Sequence, residues 1–457
     1  MSHWRNSRRQ LTLCGVLLAS CIVSAELAGQ TARAQAGASN RRVAEHDSAT
    51  SGYEIEGIRV VHRLTPANDV VAANLYLLGG SRQMTNENAG IETLLLEASE
   101  RGTRAYSKDR LRRATARLGS TIVVDADPDW TMVGLRATRA TFDSTWMILA
   151  SRLMHPTLEP GEYELVKEQI LTAVRQRTDN PDALVAALAD SFAFAGHPYA
   201  RQPVGTVQSI SALTVEDVKR YHAQQIVKSR LLLVIVGNVP RPRVERLVRR
   251  TIAQLPAGSY AWTLPDTVSI PGSGFVFEQR SLPTNYILGI YAGPSAASRD
   301  YQALRVASAV LSGQLFAEIR SRRNLTYAVD APFFERAIGA GGLYVTTVSP
   351  DTTLALMRQQ VAALQQGTID GDALERLIQQ FITEYFLNNE TNAEQATFLA
   401  RAQLYRGDYR AGERFVDELR QVTPDDVQRV SRRYMRNIRF AYVGDRQRLS
   451  PSTIRGF

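Results

Sequence analysis

The chain contains nearly the same passage twice. Leu213-Thr214-Val215-Glu216-Asp217-Val218 precedes a helical stretch and then an apolar strand that closes at Gly237. Val422-Thr423-Pro424-Asp425-Asp426-Val427 precedes a second helical stretch and a strand that closes at Gly444. From threonine to glycine the spacing is 23 residues in one copy and 21 in the other. Each threonine is placed to N-cap its helix, and an acid two to three positions later favours the first turn. The elements leading up to each copy also come in the same order. Duplication therefore constrains the fold most: two related halves of about 200 residues, each large enough for its own core.

Periodicity fills in the halves. In the first, strands are expected at 58–63, 70–78 and 231–236, with a strand pair, 121–125 and 131–135, around a turn at Asp127-Pro128-Asp129. Helices are expected at 88–99, 107–118, 140–154, 160–177, 181–194 and 214–225. In the second half strands fall at 286–291, 325–329 and 342–348, and helices at 299–322, 351–365, 370–387, 392–405 and 411–421. Gly339-Ala340-Gly341-Gly342 lies between strand candidates with no helix behind it, so it reads as a hairpin loop rather than a phosphate cradle. Strands and helices that do not alternate strictly predict an α+β fold, with helices packed on one face of a mainly antiparallel sheet in each half. The expected boundaries are 53–239 for the first domain, 240–273 for a linker holding Pro240, Pro242, Pro256, Pro265 and Pro271, and 274–457 for the second.

Composition excludes several classes of function. Hydrophobic residues make up 44% and charged residues 22%, an ordinary globular balance. The two cysteines, Cys14 and Cys21, exclude a disulfide scaffold and a cysteine-based metal site. Six histidines are present, and no two of them form a local metal motif. The net charge is +9, but the basic residues, nearly all arginine, are spread along the chain among 45 acids. That pattern argues against a nucleic-acid site.

Residues 1–36 read as a signal peptide. Three arginines in residues 1–10 precede the apolar run Leu11–Ala25, which is too short for a membrane span, and small-x-small cleavage sites follow Ala25, Ala34 and Ala36. Ser7-Arg8-Arg9-Gln10-Leu11 resembles a twin-arginine signal, and Leu18-Ala19-Ser20-Cys21 resembles a lipobox, which would place a lipid anchor at Cys21. The expectation is an exported, periplasmic protein of a bacterium, with secretion and lipid anchoring as rivals and no later membrane span. Residues 37–52 are expected to be a flexible tether.

Leu78-Gly79-Gly80-Ser81-Arg82, Asn88-Ala89-Gly90-Ile91 and Arg101-Gly102-Thr103 resemble the first domain of the pitrilysin/insulinase family of inverted-zincin metallopeptidases. The resemblance covers roughly residues 55–450, and it implies two homologous domains forming half of a clam shell. Members of that family carry H-x-x-E-H on a helix directly after the Gly-Ile pair, where the histidines hold zinc and the glutamate acts as general base. Here Thr93 matches the first histidine, Leu96 the glutamate and Glu97 the second histidine. The family's third ligand, a glutamate on a later helix, falls at or near Ala173. No zinc or other metal is therefore expected on this chain. Glu92, Glu97 and Glu100 do not form a ligand set and read as carboxylates of a solvated face.

The second half departs less. Ser312-Gly313-Gln314-Leu315-Phe316-Ala317-Glu318-Ile319-Arg320 and the run on to Val329 resemble the family's second-domain signature. In it an arginine at a helix end and a tyrosine seven residues later face the zinc site across the cleft. The matching pair is Arg320 and Tyr327. An arginine presents a rigid fork of donors to a peptide carbonyl, and a phenol can donate to a developing oxyanion. By residue type alone, Arg320 also suits a helix C-terminus and Tyr327 a half-buried strand position. The resemblance implies a non-zinc subunit that pairs with a homologous H-x-x-E-H-bearing subunit, the carrier of the zinc, and supplies Arg320 and Tyr327 in trans to a bound peptide substrate. The alternative is a catalytically inert scaffold or peptide-binding protein.

Overall fold

The computed structural model describes residues 50–454 and Phe457. The expected signal peptide, the Cys21 anchor and the tether as far as residue 49 lie outside the described residues. Among the described residues no helix is long and apolar enough to cross a membrane.

Twelve strands are described, in chain order: β1 (Thr50–Ile55), β2 (Ile58–Leu64), β3 (Val70–Leu78), β4 (Thr121–Ala126), β5 (Trp130–Thr138), β6 (Leu231–Gly237), β7 (Gly274–Gln279), β8 (Asn285–Ser295), β9 (Val329–Asp330), β10 (Phe333–Phe334), β11 (Ile338–Thr347) and β12 (Arg439–Gly444). They form two sheets, one ordered β1-β2-β6-β3-β5-β4, the other β10-β11-β8-β12-β7 with β9 also pairing β11. β2 runs parallel to β6, and β7 to β12; every other pair is antiparallel. The path β2-β6-β3-β5-β4 in one sheet thus repeats as β7-β12-β8-β11-β10 in the other.

The repeated passage has the physical basis its residues suggest. Thr214 accepts the Asp217 N–H at 3.2 Å while the Asp217 carboxylate takes the Thr214 N–H at 3.0 Å; Thr423 and Asp426 do the same at 3.1 and 3.2 Å. These are reciprocal capping boxes, with aspartate in the place of the usual glutamate. The strands that follow end at Gly237 (φ 151°) and Gly444 (φ 155°), where a Cβ would come within 2.9 Å of Val71 Cα and 2.3 Å of Asn285 Oδ1. Both copies need glycine for the same two reasons, a positive φ and a close neighbour.

Each half's own helices cover one face of its sheet. The opposite faces are closed by exchange. The Asn392–Arg406 helix of the second half lays Ala396, Leu399, Ala400, Leu404 and Tyr405 on Val61, Tyr76, Leu232, Val234 and Val236 of the first sheet. Reciprocally, Val185, Ala189 and Ala193 of the Pro181–Ala193 helix cover Leu288, Ile290, Ala340, Ala441 and Val443 of the second sheet. Tyr405 stacks on Trp130 with ring centroids 5.5 Å apart. Fully burying a leucine or phenylalanine is worth about 1.5–3 kcal/mol, so each half depends on the other for a core layer.

Several elements differ from expectation. The first strand starts at Thr50, so residues 50–52, assigned to the tether, pair with β2. The linker contains the Arg241–Arg250 helix, whose Val244, Leu247 and Val248 enter the first core. β7 and the short Val207–Ala212 helix were not anticipated. The strand expected at 325–329 is confined to Val329–Asp330. The glycine run 339–342 is not a hairpin loop but lies inside β11. Its reason is the neighbouring strand: Gly341 is the register partner of Tyr291, and a Cβ there would sit 2.2 Å from the tyrosine ring.

Candidate functional site

The Asp300–Leu315 helix, anchored in the second core by Leu304, Leu311 and Leu315, runs directly into a π-helical turn, Phe316–Arg322. Two nested bonds close it: Leu325 N–H to Ile319 C=O at 3.0 Å and Asn324 N–H to Arg320 C=O at 3.1 Å. Asn324 takes the left-handed conformation (φ 52°) that turns the chain out of the helix. Ile319 is fully buried and fixes the inner side of the turn. On the outer side Arg320 lies over the Phe316 ring, 4.9 Å from its centroid. Glu318 is engaged by Arg322 and by Arg323 Nε at 2.8 Å, and the hydrogen bond from Arg323 holds its carboxyl below the usual range.

The segment after the turn is held to β11. The single Thr326 hydroxyl hydrogen is shared between Thr346 C=O at 2.5 Å and Ala328 C=O at 2.8 Å, and the Thr347 hydroxyl donates to Leu325 C=O at 3.1 Å. The backbone on either side of Tyr327 is pinned while its side chain is 87% exposed. Tyr327 is therefore not the half-buried strand aromatic that its residue type allows. Among the described residues, neither the Arg320 guanidinium nor the Tyr327 hydroxyl has a hydrogen-bond or ion-pair partner.

The positions that match the zinc site form a different environment. The short Ile91–Ala98 helix, starting at Gly90 (φ 88°), packs on the long Pro160–Asp179 helix. Thr93 carries a hydroxyl with no hydrogen-bond partner among the described residues, Leu96 is buried, and Ala173 is exposed. Burial pushes the Glu97 carboxyl up, with the Glu100 charge adding to it. The buried Arg152 guanidinium lies at the end of this helix, donating to Leu96 C=O at 3.1 Å and Ser99 Oγ at 3.2 Å. A leucine, an alanine and an unpartnered hydroxyl beside one carboxylate do not fit a catalytic zinc ion. Among the described residues no group of three or more His, Cys, Asp or Glu is placed to hold a metal.

Glu92 is not on a solvated face. It is fully buried and receives Arg230 at 2.7 Å, Tyr221 OH at 2.7 Å and Thr131 OH at 2.5 Å, while Arg230 Nε donates to Leu78 C=O at 2.8 Å. Burial, then the Glu92 charge, pushes the Tyr221 phenol far up. This carboxylate joins the helix to β5, to the Val215–Gln225 helix and to the segment entering β6, and through Arg230 to the end of β3; it is structural.

A second buried network joins the halves. Asp129, fully buried, accepts Tyr199 OH at 2.7 Å, Tyr405 OH at 3.0 Å and the Ala337 N–H at 3.0 Å. Beside it, burial and then the Asp129 charge push the Asp127 carboxyl up to about 6. Arg336 makes a bidentate pair with Asp190 at 2.9 Å. Burial alone would raise Glu335, but Arg305 and Arg401 at 2.6 and 2.7 Å hold it down at about 2. Reasoning from sequence placed Asp127 and Asp129 in a turn and missed this role. Their D-x-D spacing was the only available signal.

Comparison with known proteins agrees with this architecture. The family model described as insulinase (peptidase family M16) matches residues 59–207, and the one described as peptidase M16 inactive domain matches residues 212–381. An uncharacterized zinc protease of Mycobacterium tuberculosis is 22% identical over 397 residues, 82% of this chain and 88% of that protein. The crystal structure of a peptidase M16 inactive domain from Pseudomonas fluorescens superposes with a TM-score of 0.78 at 20% identity, covering 87% of this chain and 98% of that one. A protease from Helicobacter pylori also superposes at 0.78, with 16% identity and coverages of 86% and 99%. Two models of one family, matching in succession along the chain, and relatives that share its full architecture make this protein a homologue of the pitrilysin/insulinase family, peptidase family M16.

Proposed function

We propose that this chain is the exported, periplasmic, non-zinc subunit of a two-chain metallopeptidase, holding a peptide and presenting Arg320 and Tyr327 in trans to the active site of a homologous H-x-x-E-H-bearing subunit. The observation that carries this reading is the state of the pair. Both side chains sit on a backbone fixed by its own hydrogen bonds, and their donors are unspent among the described residues. Lewis acidity and an activated water, the chemistry a zinc ion supplies, would come from the partner. This chain's part is to orient. The Arg320 fork donates to a peptide carbonyl, and the Tyr327 hydroxyl donates to the oxyanion that forms as that carbonyl is attacked. The "zinc protease" and "inactive domain" names of its relatives support a peptidase-like scaffold.

The second reading, an inert scaffold or peptide-binding protein, draws on the non-ligating residues at Thr93, Leu96 and Ala173. Co-expression with an H-x-x-E-H-bearing homologue from the same genome separates the two. Peptidase activity in the mixture and in neither chain alone supports the two-chain enzyme. A mixture without activity, but with peptide bound to this chain, supports the second reading. Fractionation and N-terminal sequencing of the mature protein test export and decide between cleavage near Ala25–Ala36 and a lipid anchor at Cys21.

A further inference from the structure

Arg320 is unusual among its neighbours in what holds it. The turn Phe316–Arg322 and the residue after it carry three arginines, 320, 322 and 323, and one carboxylate, Glu318. Arg322 and Arg323 take that carboxylate, Arg323 at 2.8 Å. Arg320 is left with an aromatic floor instead, its guanidinium carbon 4.9 Å from the centre of the Phe316 ring. Phe316 and Arg320 are four residues apart, neighbours on one side of a helical turn, so the spacing itself brings the ring under the guanidinium. Phe316 is 41% exposed, a large apolar ring kept partly in solvent although a fully buried core lies on the other side of the same turn.

The two ways of holding an arginine have different consequences. An ion pair takes up donors and fixes the fork on the carboxylate, as Glu318 does with one nitrogen of each of its two partners. A ring beneath the guanidinium plane attracts the cation through its quadrupole and leaves the in-plane N–H donors unspent. We infer that Phe316 is a positioning residue: it orients Arg320 toward the substrate carbonyl without occupying the donors that bind it, while Glu318 draws the two competing arginines aside. This rests on the reading of Arg320 proposed above. It adds a residue whose role runs entirely through another side chain.

The test uses the enzyme assembled from this chain and the H-x-x-E-H-bearing homologue, with a quenched fluorescent peptide library as the probe. Phe316→Leu should lower kcat/KM by about two- to fivefold, the range of an exposed cation–π contact. Phe316→Tyr, which keeps the ring face, should restore it. In an Arg320→Ala background, Phe316→Leu should cost nothing further, because its effect has lost its carrier. The side chain is partly exposed, so the melting temperature serves to check that Phe316→Leu has folded normally. An unchanged rate in Phe316→Leu, or an equal loss in the Arg320→Ala background, overturns the inference and leaves the two-chain reading standing. A silent Arg320→Ala overturns both.

Discussion

Tyr405 crosses from the second half of the chain to donate its hydroxyl to Asp129 of the first at 3.0 Å, deep in the seam between the two sheets. Asp129 is fully buried, and its other donors are Tyr199 and the Ala337 backbone. A carboxylate in that position is tolerated because three donors satisfy it. Tyr405→Phe removes one charged hydrogen bond and should cost about 1.5–3 kcal/mol in urea unfolding. Asp129→Ala leaves two phenols and an amide without their acceptor and should cost more. If Tyr405→Phe unfolds at the wild-type midpoint, the seam is not held at this point.

The neighbouring Asp127 gives the seam a pH dependence of definite sign. Its carboxyl is pushed up to about 6, first by burial and then by the Asp129 charge, while the hydrogen bond from the Asp129 N–H, then Arg401 and Arg336, oppose the shift. A group whose folded pKa exceeds its unfolded value of about 3.9 binds more protons in the folded state. Its contribution is therefore fully present below about 4 and is lost as pH rises through about 6. Glu335, held at about 2 by Arg305 and Arg401, acts oppositely: its stabilisation is present above about 4.3 and is lost as pH falls toward 2. Asp127→Asn keeps an acceptor for the Asp129 N–H and cannot ionise. It should raise the melting temperature at pH 7 and flatten the profile between pH 4 and 6. A variant profile parallel to wild type there would contradict the assignment.

The exchanged helices predict that neither half is a stable domain alone. Residues 50–273 expressed by themselves leave Val61, Tyr76, Leu232, Val234 and Val236 without the helix that covers them. An apolar face of that size should bind ANS and lack a cooperative melt. Co-expression with 274–457 should restore solubility. Cooperative unfolding of the isolated first piece would show that the exchange is dispensable.

Arg230 and Glu92 make the corresponding prediction within the first half. Both are buried and 2.7 Å apart. Arg230→Met strands the carboxylate and should destabilise by about 3–5 kcal/mol, whereas Arg230→Met with Glu92→Leu should recover much of the loss. Chemical denaturation of the single and double variants checks this.

How legible these features were depends on what each residue pattern reports. Thr214 and Thr423 were readable because capping is local: an acid three residues on from a threonine has one use at a helix start. The apolar runs of β3, β6 and β8 were readable for the same reason. Periodicity marks a face as buried but does not name what buries it, so the Asn392–Arg406 helix was found and its placement on the other half's sheet was not. Glu92 shows the converse. It sits five residues from Glu97 and looks equally polar, yet its partners lie 39, 129 and 138 residues away in sequence. The Arg320 and Tyr327 positions came from a motif resemblance, while the ring beneath Arg320 lies at the four-residue spacing of helical neighbours, which does not say whether the arginine takes a ring or a carboxylate.

The most direct test of the two-chain reading is the peptidase rate of this chain mixed with the H-x-x-E-H-bearing homologue, measured for wild type, Arg320→Ala and Tyr327→Phe. The account predicts activity only in the mixture, abolished by a chelator, with kcat falling on the order of a hundredfold in either variant, as for a lost oxyanion donor. Full activity in a mixture carrying both substitutions, or chelator-resistant activity of this chain alone, would contradict it.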